Sequence, residues 1–137
     1  MIMGTRPEAI KMAPLVRLFR ETEDIDPIVC FTGQHRELLE QVAVYFGLEA
    51  DIDLNLMKPN QSLNGLMARC IEGLDRAINH YQPDSVIAQG DTTTVAASAI
   101  VAFHARLPFI HVEAGLRTGN LQSPWPEEFN RRLAAIA

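Results

Sequence analysis

A chain of 137 residues, 47% of them hydrophobic, is long enough for one domain with a substantial core and too apolar to stay disordered. Its formal net charge of -5 argues against a nucleic acid or an anionic membrane held by bulk electrostatics and leaves room only for local basic pockets. The most apolar run, residues 95–103, is about half of the ~18 residues that suggest a membrane span. Cys30 and Cys70 lack paired spacing, and the N-terminus lacks the basic region, apolar core and cleavage site of a signal peptide. A cytoplasmic protein with reduced thiols is the expectation.

In chain order, only Met1, Ile2 and Met3 precede Gly4, few for a buried strand. Residues 27–32 then read as a strand, and residues 36–46 as a helix with Leu38, Leu39, Val42 and Phe46 on one face, stopped by Gly47. A short strand at 51–54 precedes a helix over 63–78, where Leu66, Met67, Cys70, Ile71, Leu74 and Ile78 recur at helical spacing. Residues 84–89 form the next strand, 92–104 an Ala-rich helix and 109–112 a further strand. Strands alternating with helices predict a doubly wound α/β fold, a parallel sheet covered on both faces. The three residues before Gly4 are expected to add little to the middle of that sheet.

Ligands of such sheets collect at the carboxyl ends of the strands, and three segments fall at that edge. In the first, residues 4–11, Gly4 turns the chain, Thr5 and Glu8 have capping-box spacing and Pro7 suits a first helical turn. That helix start can hold an anion with help from Arg6 and Lys11, or it is simply a well-capped surface helix. In the second, residues 89–94, Asp91 follows a strand and opens a helix, which suits either an N-cap or a catalytic carboxylate. In the third, residues 111–128, Glu113 follows a strand, and Glu127 and Glu128 follow Ser123-Pro124-Trp125-Pro126. Both glutamates suit the positive end of a helix. Glu128 also has Arg131 and Arg132 at three and four residues, an exposed pairing worth under about 1 kcal/mol, so Glu128→Gln is expected to keep most activity.

The four histidines and two cysteines show no metal-ligand spacing, so no metal and no cofactor are expected. His80 and His104, near helix ends, read as simply exposed or as cations at helix C-termini. The absence of G-x-S-x-G, a P-loop and G-x-G-x-x-G removes the usual support for a serine hydrolase, a P-loop NTPase and a standard dinucleotide binder.

Residues 4–14 (GTRPEAIKMAP), 33–36 (GQHR), 90–94 (GDTTT), 111–119 (HVEAGLRTG), Pro126-Glu127-Glu128 and Asn130-Arg131 together resemble the non-hydrolysing UDP-N-acetylglucosamine 2-epimerases, in that family's order and across nearly the whole chain. The resemblance implies that residues 1–137 are the Rossmann-like N-terminal domain of a two-domain, GT-B-like enzyme whose UDP-binding C-terminal domain is not among these residues. It also implies a homodimer for the full-length protein and interconversion of UDP-N-acetylglucosamine and UDP-N-acetylmannosamine, usually for cell-envelope polysaccharide.

The C2 proton of the sugar has no carbonyl beside it. The family's route first expels UDP from C1. The oxocarbenium-like centre then acidifies that proton, and its loss yields a 2-acetamidoglucal plus UDP. Returning a proton to the other face and UDP to C1 inverts C2, which needs acid/base groups in two positions or one that moves. By matching position the resemblance assigns catalysis to Asp91, Glu113 and Glu127, and substrate contacts to Arg6, Lys11, His111 and Arg117. It assigns an activating second UDP-N-acetylglucosamine to Gln34 and Arg36. Some relatives carry Gln and Arg where this chain has Glu37 and Asn60, two contacts fewer at the activating site. The 137 residues by themselves are expected to be inactive. A nucleotide-sugar-binding or regulatory fragment, a glycosyltransferase and the hydrolysing epimerase type stay open as alternatives.

Overall fold

The computed structural model describes the backbone of residues 1–33 and 36–137 and the side chains of 1–33 and 41–137. The elements run β1 (Ile2–Met3), α1 (Arg6–Arg20), β2 (Cys30–Phe31), α2 (Arg36–Phe46), β3 (Ile52–Asp53), α3 (Leu63–Tyr81), β4 (Val86–Gln89), α4 (Thr93–His104), β5 (Phe109–Val112) and α5 (Glu127–Ala134). Strand order in the parallel sheet is β3-β2-β1-β4-β5, so the chain winds outward in both directions from β1. The doubly wound reading is correct. The sheet's alternation fixes the two layers. Ile2 and Cys30 face a core completed by Leu66, Cys70 and Leu74 of α3 and Ala97 and Val101 of α4. Met3, Val29 and Phe31 face Ala9, Met12, Ala13 and Val16 of α1 and Val42 and Ala43 of α2.

One expectation fails at the start of the chain. Met1–Met3 do not add little: β1 is the central strand, pairing with β2 through Ile2–Cys30 and Met3–Phe31 and with β4 through Ile2–Ala88. Met3 is fully buried. Two residues suffice because their neighbours continue the ladder, Cys30 N–H donating to Met1 O and Thr32 N–H to Met3 O, both at 2.9 Å.

Local chemistry accounts for the helix ends. Gly47, at φ 63°, lets Leu48 N–H reach back to Ala43 O at 2.8 Å and Gly47 N–H to Val44 O at 3.3 Å, the paired bonds of a Schellman stop for α2. Ser62 caps α3 by accepting from Gly65 N–H. Helix α4 is buried almost all round because it lies between the sheet, α3 and α5, which explains its small residues. His80 and His104 sit exposed in the last turns of α3 and α4, as expected. Cys30 and Cys70 are unpaired and buried, and burial pushes their thiols up to about 12 and about 11, so both are unreactive core residues. No helix among the described residues is long and apolar enough to cross a membrane.

Candidate active site

The reversal of strand order falls between β1 and β4, and that is where crevices form in such sheets. A cleft opens there, lined by Thr5, Glu8 and Lys11 from the start of α1, Gln89 to Thr92 from the end of β4, Glu113 from the end of β5, and Arg131 from α5. The three segments singled out at the sheet's carboxyl edge therefore converge.

Glu113 is the most constrained of these residues. It follows β5 directly with φ at 60°, a left-handed conformation that costs a non-glycine residue about 1–3 kcal/mol and needs its surroundings to hold it. Lys11 Nζ and Gln89 Nε2 both donate to its Oε2. The Lys11 ammonium holds the carboxyl below the usual carboxylate range, Gln89 adds to that, and slight burial opposes it. The side chain is still 51% exposed and Lys11 47%, so the pair faces the open cleft. An anion open to a ligand suits stabilisation of a positive centre and can accept a proton, with Lys11 lowering its basicity.

Asp91 follows Gly90, whose φ of 89° makes the turn out of β4. The capping reading of Asp91 does not hold, because Thr92 is the cap of α4 and accepts from Val95 N–H at 3.4 Å. The Asp91 carboxylate bonds Arg131 instead, at 2.9 Å to Nε and 2.7 Å to a terminal nitrogen. Asn130 Nδ2 donates to the Asp91 carbonyl at 2.9 Å. Both nitrogens converge on one oxygen, Oδ2, which anchors that oxygen of the carboxylate beside a buried cation.

Glu8 is a site residue that its sequence context hides. Its T-x-x-E spacing does form the capping box, with Oε2 accepting from Gly4 N–H at 2.5 Å and Thr5 N–H at 2.9 Å. The surface-helix alternative fails because Glu8 is only 2% exposed. Its other oxygen accepts from Thr92 Oγ1 at 2.6 Å, so one buried carboxylate locks the start of α1 to the start of α4. Burial pushes its carboxyl up, against the opposing bonds from Thr92, Gly4 and Thr5.

Glu128 departs furthest from expectation. Its pairing with Arg131 and Arg132 is present, at 3.1 Å each, but the exposed helix surface is not: the side chain is 0% exposed. The reason is the loop after β5, which folds over it so that Thr118 N–H donates at 3.0 Å and Gly119 N–H at 3.2 Å. The bond from Thr118 is the leading cause, with Arg132, Gly119 and Arg131 adding to it against burial, of a carboxyl brought down to about 2. The expected tolerance of Glu128→Gln has no basis in this geometry. Spacing showed the arginines; the loop donors, ten and nine residues upstream, left no local signal.

The other expected residues are distributed as follows. Glu127 is half-buried in the first turn of α5 and does not line the cleft. His111 Nε2 bonds the Gly90 carbonyl at 2.6 Å, pinning the turn that carries Asp91, while its buried Nδ1 has no partner among the described residues. Arg117 donates to the carbonyls of Ala114 and Leu116 in its own loop, at 2.7 Å each. Arg6 is exposed on the first turn of α1. Neither His111, Arg117 nor Arg6 lines the cleft. Gln34 lies outside the described residues, as do the side chains of Arg36 and Glu37, and Asn60 sits at φ 53° in the loop before α3. No cluster of three or more His, Cys, Asp or Glu among the described residues could hold a metal ion.

The family described as UDP-N-acetylglucosamine 2-epimerase matches residues 17–136. The chain belongs to that family. A relative named UDP-N-acetylglucosamine 2-epimerase from Salmonella typhimurium is 52% identical over 132 residues, covering 96% of this chain and 35% of the relative. The crystal structure of UDP-GlcNAc 2-epimerase from Neisseria meningitidis bound to UDP-GlcNAc superposes with a TM-score of 0.93 at 50% identity, covering 98% of this chain and 37% of that one. The Methanocaldococcus jannaschii UDP-GlcNAc 2-epimerase, in complex with UDP-GlcNAc and UDP, gives 0.90 at 33% identity, covering 97% and 36%. The chain thus spans about a third of the length of the epimerases it matches.

Proposed function

We propose that this chain belongs to the Rossmann-like N-terminal part of a non-hydrolysing UDP-N-acetylglucosamine 2-epimerase, with a second domain supplying the main grip on UDP. The observation that carries the proposal is the meeting of Asp91, Glu113 and Lys11 around one cleft at the switch point of the sheet, in a family with two solved members in complex with UDP-GlcNAc. In this reading UDP leaves C1 toward Lys11 and the amino end of α1, where positive charge and helix dipole favour the departing phosphate. The anionic carboxylates stabilise the oxocarbenium-like centre, and the acidified C2 proton passes to one of them. Asp91 and Glu113 come from adjacent strand ends. Glu127, assigned by resemblance, supplies the remaining position for proton return.

Glu113 starts as the anion, because Lys11 and Gln89 stabilise that form, and so suits removal of a proton or stabilisation of positive charge before it suits donation. The reading is tested by incubating the whole protein with UDP-N-acetylglucosamine and separating the products. UDP-N-acetylmannosamine with traces of 2-acetamidoglucal and UDP is the expected result. Free N-acetylmannosamine with UDP would instead mark the hydrolysing type, and unchanged substrate a binding module.

A further inference from the structure

Glu128 joins parts of the molecule that no backbone ladder connects. Oε2 accepts from Thr118 N–H and from Arg131, and Oε1 accepts from Gly119 N–H and from Arg132. All four partners are donors, so a carboxylate satisfies the site and an amide does not: either orientation of a glutamine turns its NH2 group onto two N–H donors. Arg131 carries the connection onward, since the guanidinium that bonds Glu128 also holds Asp91. Its side chain is 7% exposed. Burial works against its charge, and the bonds and charges of Asp91 and Glu128 outweigh that, so Arg131 stays a cation between two anions.

We propose that Glu128 is a positioning residue of the active site, which clamps the Thr118–Gly119 turn to α5 and, through Arg131, sets the orientation of the Asp91 carboxylate toward the substrate. The inference rests on the function proposed above and deepens it. Glu128 has no surface of its own in the cleft, so it acts only through what it holds. The turn is braced a second time by the Thr118 hydroxyl, which donates to Ser123 O at 2.6 Å, so loss of Glu128 is expected to loosen the site without unravelling the loop.

The test has two arms in the whole protein. In the kinetic arm, Glu128→Gln lowers kcat about 10- to 100-fold with KM changed less than about threefold, the scale of a small misplacement of a reacting group. In an Asp91→Asn background the same change costs no more than about threefold, because the residue it orients is already disabled. A simple loss of fold integrity would give equal losses in both backgrounds, and that result, or near-normal kcat for Glu128→Gln, overturns the proposal. Arg131→Lys keeps the charge but not the fork that bonds Asp91 and Glu128 together, and is expected to lose as much kcat, so it decides the matter if Glu128→Gln does not fold. In the second arm, amide hydrogen exchange at Thr118 or Gly119 rises at least about tenfold in Glu128→Gln while the Ala88 amide of the central sheet stays protected. If the wild type does not epimerise, the function proposed above falls, and unchanged protection at both amides would still refute the clamp.

Discussion

Asp91→Asn and Glu113→Gln, each made in the whole protein, are expected to lower turnover at least ~100-fold, the scale for losing a positioned acid/base group. Each replacement keeps the shape of the side chain and removes its capacity to hold a negative charge or take a proton. Asparagine at 91 still offers Arg131 one carbonyl oxygen in place of a carboxylate with contacts at 2.9 and 2.7 Å. Glutamine at 113 still accepts from Lys11, and because that ion pair is about half exposed its loss should cost under about 1 kcal/mol of stability. Thermal unfolding should therefore stay close to wild type while kcat collapses. Glu127→Gln is expected to show a comparable loss on the strength of its motif position. Activity within about tenfold of wild type for Asp91→Asn or Glu113→Gln would remove that carboxylate from proton transfer.

The 137-residue polypeptide alone is expected not to turn over UDP-N-acetylglucosamine. The cleft leaves Glu113 51% and Lys11 47% exposed, so water would screen the charges meant to stabilise a cationic centre and would capture that centre. Without a grip on the nucleotide its binding energy cannot align C1 and C2, an alignment worth several kcal/mol or more of barrier, by about the scale of intramolecular reactions. Chromatographic separation of the two UDP-sugars after incubation with the purified polypeptide decides it. UDP-N-acetylmannosamine formed at an ordinary enzymatic rate would show that one domain suffices.

What could be read from residues alone depended on how far apart the interacting groups lie. Helix α2 begins and ends where periodicity and Gly47 place it, and β5 matches residues 109–112, because those signals are local. Strand β1 leaves little local signal because its place in the sheet comes from Cys30, Thr32 and Ala88, far along the chain. The same limit governs the site. Glu8 showed its capping box three residues away but not Thr92, 84 residues on. Arg131 showed Glu128, one helical turn back, but not Asp91, 40 residues earlier. Motif order brought Asp91, Glu113 and Lys11 to attention, and only the folded sheet shows Gln89 and Lys11 converging on one oxygen of Glu113.

The claim that these carboxylates exchange the C2 proton is tested most directly by running the whole protein on UDP-N-acetylglucosamine in deuterated water and reading the product by mass spectrometry and proton NMR. One deuterium at C2 of UDP-N-acetylmannosamine, with its appearance slowed at least ~100-fold in Asp91→Asn and Glu113→Gln, is the result expected of positioned acid/base groups. Product that keeps protium at C2 would contradict the account, because inversion would then have occurred without a proton passing through an exchangeable carboxylate.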